Sequence, residues 1–186
     1  MKPLQLSKPH AILVVGIPGS GKTFFAQHFS ETFNAPFIDA SQLHSYLQDS
    51  TTVETVVKTF LDEIVKTHQT FIHEPVASSR TNRTEFAKWA RSVGYEPLVV
   101  WVQTDSATAE RRSQKLGRST NEHEDLVRRF SAPHASEKPA VISGKHTQSS
   151  QARAVLTRLS AAHAAEPLTV PKRVDPHSRT IDIKRG

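Results

Sequence analysis

The chain has 186 residues, 37% hydrophobic and 23% charged, with ten histidines, no cysteine and a formal net charge of +6. That length carries one complete hydrophobic core, and two full domains would be crowded into it. The lack of cysteine excludes disulfides, thiolate zinc sites and cysteine nucleophiles, and no apolar run approaches the roughly 20 residues of a membrane span. The histidines are scattered, and His73-Glu74 is not followed by a second histidine at helical spacing, so a structural metal is not expected. Residues 1–10 lack the apolar stretch and cleavage site of a signal peptide, which makes a cytoplasmic location the expectation.

Ala11-Ile12-Leu13-Val14-Val15 is a continuous apolar run ending at Gly16, the pattern of a strand buried on both faces of a parallel sheet. Residues 22–33 set Phe25, Phe29 and Phe33 four apart with Ala26 beside them, an apolar helical stripe. A brief strand at 36–39 and a polar stretch around 41–50 come next. Val53, Val56, Val57, Phe60, Leu61, Ile64 and Val65 then repeat with helical period. Thr70-Phe71-Ile72-His73-Glu74 reads as a third strand stopped by Pro75. Residues 82–93 read as a helix closed by Gly94, where a left-handed residue is wanted. Residues 97–103 form the fourth and most hydrophobic strand.

Beyond it the character changes. Residues 106–116 and 121–130 read as two charged helices separated by a break at 117–120, followed by a fifth strand at 140–144 and a last helix at 149–162. The end of the chain, 166–186, carries three prolines and five Lys/Arg and reads as either a docked extension or a tail. Charge is uneven: residues 1–105 balance to −1, and residues 106–186 to +7. The second half therefore faces something acidic or presents a basic surface. Strands alternating with helices imply a three-layer α/β domain with a mostly parallel five-stranded sheet, strand C-terminal ends on one edge. Residues 1–165 form that domain, with 106–131 as a helical lid and 166–186 as a basic C-terminal extension.

Gly16-Ile17-Pro18-Gly19-Ser20-Gly21-Lys22-Thr23 matches the Walker A phosphate loop in full. Its glycines let successive N–H groups turn inward on an anion, and the helix starting near Lys22 adds its positive end. Lys22 would reach the β- and γ-phosphates, and the Thr23 hydroxyl would ligate Mg²⁺. Asp39, ending the second strand next to the strand that carries the loop, could accept a proton from an incoming hydroxyl, or simply cap a helix starting near Ser41. Glu74 closes the third strand and could hold Mg²⁺ through water, or be an ordinary strand-end carboxylate. Arg111 and Arg112, with Lys115 and Arg118 close behind, face one acid, Glu110, between residues 106 and 121. They could close over phosphates, Arg112 first, or form a solvated face.

On these residues the chain resembles P-loop kinases of the polynucleotide kinase and zeta-toxin type, often described as AAA-like ATPases. The likeness runs from about residue 11 to 162. It rests on the loop, Asp39, the stretch Thr84-Glu85-Phe86-Ala87-Lys88-Trp89-Ala90-Arg91-Ser92-Val93-Gly94-Tyr95, Glu110-Arg111-Arg112 and Leu126-Val127-Arg128-Arg129-Phe130. The resemblance implies a P-loop NTPase fold and Mg²⁺-dependent transfer of the γ-phosphate of ATP to a hydroxyl acceptor. That acceptor would be a nucleotide, a polynucleotide 5′ end or a small metabolite. Asp39 would be the general base, and Arg112 or Arg111 would stabilise the transferred group. Lys145 and Thr147 would lie near the base or ribose. Two departures stand out: Glu74-Pro75-Val76-Ala77 replaces the usual Asp-Ala-Thr-Asn run, and Gln42, Leu43 and His44 stand where an arginine often grips an acceptor phosphate. The second departure weakens a nucleic-acid end as substrate. A nucleotide switch or ATPase without an acceptor, and a nucleic-acid-binding ATPase using the basic half, are the alternatives. ATP is favoured over GTP because no Asn-Lys-x-Asp signature occurs.

Overall fold

A computed structural model describes residues 6–164 apart from 48 and 77; the expected extension at 166–186 lies outside the described residues. Strand β1 (His10–Val15) is buried along its whole length. The phosphate loop leads into α1 (Lys22–Phe33), then β2 (Phe37–Asp39), α2 (Ala40–Leu47) and α3 (Ser50–Ile64). After a 3-10 turn at Val65–Thr67 come β3 (Phe71–Glu74), α4 (Arg80–Ser92) and β4 (Glu96–Gln103). Helices α5 (Ser106–Lys115) and α6 (Thr120–Arg129), a 3-10 turn at Ala135–Glu137, β5 (Ala140–Ser143) and α7 (Gln148–Ala164) complete the described residues. The elements follow the apolar periods read from the sequence, and the polar stretch after Asp39 opens with α2, the helix anticipated near Ser41.

All five strands are parallel, in the order β2-β3-β1-β4-β5. Strand β3 thus lies between β2 and β1, so Asp39 does not end the neighbour of the loop-bearing strand. This corrects the expected adjacency. The three-residue β2, with only Ile38 buried, sits at the sheet edge, and β3, buried at all four positions, takes the place beside β1. Asp39 is instead the register partner of Glu74.

Alternation along β1 divides the core into layers, as a period of two requires. Ile12 and Val14 pack with Phe25, Phe29, Val155 and Leu159 of α1 and α7. Ala11 packs with Val53, Val57 and Leu61 of α3 and with Ala90 of α4. Helix ends are set by specific residues. Asn34, at φ 51°, stops α1 and donates its N–H to Ser30 O. The carboxylates of Asp49 and Asp105 cap α3 and α5, and Ser119 with Glu122 form a reciprocal capping box on α6.

Candidate functional site

The loop between β1 and α1 is shaped by close backbone approaches that admit no side chain. A Cβ on Gly16 would stand 2.6 Å from Val102 O, one on Gly19 2.0 Å from Ala109 O, and one on Gly144 1.9 Å from Ser20 O. Gly19 and Gly21 have φ of +77° and +96°, the left-handed region where glycine is unstrained. The Thr104 hydroxyl donates to Ser20 O at 3.0 Å, tying the end of β4 to the crest of the loop. The loop is therefore clamped between the ends of β4 and β5 and the first turns of α5. Ile17, Pro18 and Gly19 are half-buried and Ser20 fully buried.

Lys22 and Thr23 open α1 and meet the end of β3. The Thr23 hydroxyl donates to Glu74 Oε1 at 3.0 Å, and Lys22 Nζ lies 3.5 Å from the same oxygen. Glu74 is 1% exposed and its Oε2 has no hydrogen-bond partner among the described residues. Burial pushes the Glu74 carboxyl above its ordinary range, with Lys22 opposing and the nearby Asp39 charge reinforcing the rise. A hydroxyl and a buried carboxylate with an unused oxygen are the hard ligands that Mg²⁺ accepts. A cation there would also relieve the desolvation that raises the Glu74 pKa. The residues present fit that ion.

Beside Glu74, Asp39 is half-buried. Its Oδ1 accepts the N–H groups of Ser41 at 2.9 Å and Gln42 at 3.1 Å, so the side chain caps α2. Oδ2 has no hydrogen bond among the described residues. Next to Glu74 in the strand, on the opposite face of the sheet, His73 is 6% exposed, donates through Nδ1 to Ile38 O and packs on Phe86. Desolvation pushes its pKa down to about 4, outweighing the Ile38 carbonyl and the Asp39 charge.

On the lid side, Arg112 Nη1 donates to Gly144 O at 3.2 Å, and a Cβ built on Gly21 would lie 3.7 Å from the same nitrogen. Arg112 thus overhangs the loop where α1 begins. Arg111 is exposed, within 3.5 Å of the Thr108 hydroxyl on its own helix. Lys145 is exposed and ion-paired with Asp105, whose carboxyl it holds well below the usual range together with bonds from Thr108. Thr147 is exposed, its hydroxyl accepting the Ser150 N–H in the first turn of α7. Loop, Lys22, Thr23, Glu74, Asp39 and Arg112 come together at one sheet edge; Arg111, Lys145 and Thr147 stand on the exposed flank.

Four contributors went unread in the sequence: Thr104, Ala109, Gly144 as a close approach, and Arg83. Arg83 is 1% exposed and donates from Nε to Glu137 Oε2 at 2.7 Å and from Nη2 to Oε1 at 3.0 Å. It also reaches Ser131 O at 2.7 Å, Ala132 O at 3.3 Å and Ser78 O at 3.0 Å. This arginine ties the chain leaving the lid to α4. Gly144, after a strand and before a helix, carried the one signal that could have been used.

A parallel sheet with this glycine loop at the C-terminal end of its central strand defines a P-loop nucleotide-binding domain. The chain belongs to the AAA domain family, which it matches over residues 12–132. No curated protein matches it significantly. Among solved structures it is similar to a gluconokinase from Sinorhizobium meliloti, with a TM-score of 0.61 and 16% identity over 84% of this chain and 94% of that one. It is also similar to the Mycobacterium tuberculosis APS kinase solved with AMPPNP and APS, with a TM-score of 0.61 and 17% identity over 82% and 98% of the two chains. A third is Kti12 from Chaetomium thermophilum, solved with ADP-AlF3, with a TM-score of 0.63 and 18% identity over 82% and 98%. At these identities the likeness shows the shared fold. No helix among the described residues is long and apolar enough to cross a membrane.

Proposed function

We propose that the protein is an ATP-dependent phosphotransferase that moves the γ-phosphate of ATP to a hydroxyl acceptor. The observation that carries this reading is the pairing of Asp39 with Glu74 at the strand edge, beside Lys22 and Thr23. An ATPase needs the loop, Lys22 and a magnesium-holding carboxylate. A second carboxylate one strand further out is what an acceptor needs. The two α2 amides on Oδ1 hold the Asp39 carboxylate in place and leave Oδ2 to take a proton.

In the proposed reaction the acceptor oxygen attacks the γ-phosphorus and its proton passes to Asp39 Oδ2. The bond from the γ-phosphorus to the β,γ-bridging oxygen breaks, and ADP leaves. The loop amides and Lys22 bind the phosphates, and Arg112 offers its guanidinium to charge developing on the transferred group. Thr23 and Glu74 would hold Mg²⁺, which when bound neutralises phosphate charge. Lys145 and Thr147 would reach the nucleoside only after Lys145 leaves Asp105. Kinase names among the similar structures support this reading. The finer likeness to the polynucleotide kinase and zeta-toxin type rests on Asp39 and the lid arginines.

A nucleotide switch without an acceptor is the second reading, favoured by the structural task Asp39 already has as the α2 cap. Asp39→Asn separates the two, because asparagine caps a helix as well as aspartate does. The kinase reading expects ATP affinity within about twofold of wild type and transfer lowered by about 10²–10⁴, the size of a general-base contribution. Transfer at the wild-type rate would reduce Asp39 to a cap.

A further inference from the structure

A sizeable cavity lies away from the loop. It is a groove of about 770 Å³ lined by Arg80, Lys88 and Arg91 of α4, Lys138 and Arg158 across from them, and a floor from β4. Its position follows from the topology. His10 and Glu96, which pair at the N-terminal ends of β1 and β4, belong to its lining. In a parallel sheet the phosphate loop occupies the other end, about 20 Å away along a six-residue strand.

The groove is strongly one-signed. Seven Lys/Arg and two Glu line it, a net of +5, and Glu137 is already engaged by Arg83. Arg80, Lys88, Arg91, Lys138 and Arg158 are exposed, and none forms an ion pair among the described residues. Arg158 donates to the Lys138 carbonyl, which holds the far wall together. On α4, residues 80, 84, 87, 88 and 91 share one helical face, and the small side chains of Thr84 and Ala87 leave the trough open between the cations. From Arg80 to Arg91 this row extends about 16 Å. A row of cations that long suits a polymer of phosphates better than one phosphate group.

We infer that this groove binds the phosphate backbone of nucleic acid, independently of the nucleotide at the P-loop. The lining contains no Phe, Tyr or Trp, so base stacking has no platform and binding is sequence-independent. The chain itself offers no complementary occupant. Residues 166–186 carry five Lys/Arg against three Asp/Glu, and a second copy brings another net charge of +6.

The test is fluorescence anisotropy of labelled single-stranded RNA, single-stranded DNA and a DNA duplex, titrated with full-length protein across a salt series. Lys88→Glu/Arg91→Glu is compared with Lys58→Glu/Arg153→Glu, an equal charge change at exposed positions outside the groove. Wild type is expected to lose affinity linearly on a log–log salt plot, with a slope of about −3 for about four phosphate contacts on a single strand. The groove variant should bind at least about tenfold more weakly and show a slope shallower by about 1.4, while the control stays near wild type. Unchanged affinity of a fluorescent ATP analogue certifies that the variant is folded; if that is lost, Lys88→Ala/Arg91→Ala takes its place. Equal affinity for groove variant and control overturns the inference. So does competition by polyglutamate as effective as by unlabelled oligonucleotide, which would mark an acidic protein segment as the partner.

Discussion

The two sides of the phosphate loop are held by different physics. On the β3 side, Lys22 and Thr23 meet the buried Glu74 at the end of a strand whose four residues are all buried, and burial enforces their geometry; on the opposite face of that strand His73 and Phe71 pack with Phe86 and Trp89. On the lid side, α5 and α6 carry exposed charge, and the structure relies on particular contacts: Ala109 against Gly19, Arg112 on Gly144, and Arg83 gripping the chain that leaves α6. On the proposed function, the first side would be a preformed seat for phosphates. The second is held at its two ends by single contacts, and on the proposed function it would be the element that closes over a bound nucleotide.

If the lid hangs on Arg83, removing it should cost most. Arg83→Met leaves Glu137 and the carbonyls of Ser131 and Ala132 without their donor, and should destabilise the protein by about 3–5 kcal/mol in a urea titration. Arg83→Lys should rescue little, since an ammonium cannot make the two-pronged contact with Glu137. Loss under 1 kcal/mol would mean that the lid is anchored elsewhere.

The buried far face of β3 has its own signature. His73 titrates near 4 in the fold against an ordinary value of 6.5, so below pH 6.5 the unfolded chain takes up the proton first. Its contribution to stability is complete above pH 6.5 and declines as pH falls toward 4, by about 3 kcal/mol at most. Glu74, raised by burial, works in the opposite direction, losing stability as pH rises above 4.5 through its folded value. Comparison with His73→Gln cancels that common background. The stability gap between the two proteins should move against wild type as pH falls from 7 to about 4.5; a constant gap would show the ring to be solvated. A smaller effect is expected at the lid helix, where Ser119→Ala removes half of a capping box and should cost about 1 kcal/mol.

The same contrast explains how much was legible in the sequence. The first side is written in apolar period and in a glycine pattern, and α1 begins and ends where Phe25, Phe29 and Phe33 indicated. Asp39, Glu74 and Arg112 could be picked out because strand ends and a one-sided charge run single out few positions. Strand order could not be read that way. Nothing local to β2 says which neighbour it takes, and the burial of β3 decided it. Arg83 was hidden for a related reason: among the charged residues of α4 it has no local mark, and its partners lie about 50 residues further on. Gly144 and Thr104 likewise act only through a backbone distant in sequence.

The central claim is that phosphate leaves ATP for a hydroxyl. The most direct measurement supplies γ-labelled ATP and Mg²⁺ to the purified protein with a panel of 5′-hydroxyl DNA and RNA, nucleosides, nucleoside monophosphates and nucleotide sugars, with Lys22→Ala as control. Label carried onto one acceptor, and absent in the control, is the predicted result. Label released only as free phosphate, whatever the acceptor, would contradict it and leave a nucleotide switch in its place.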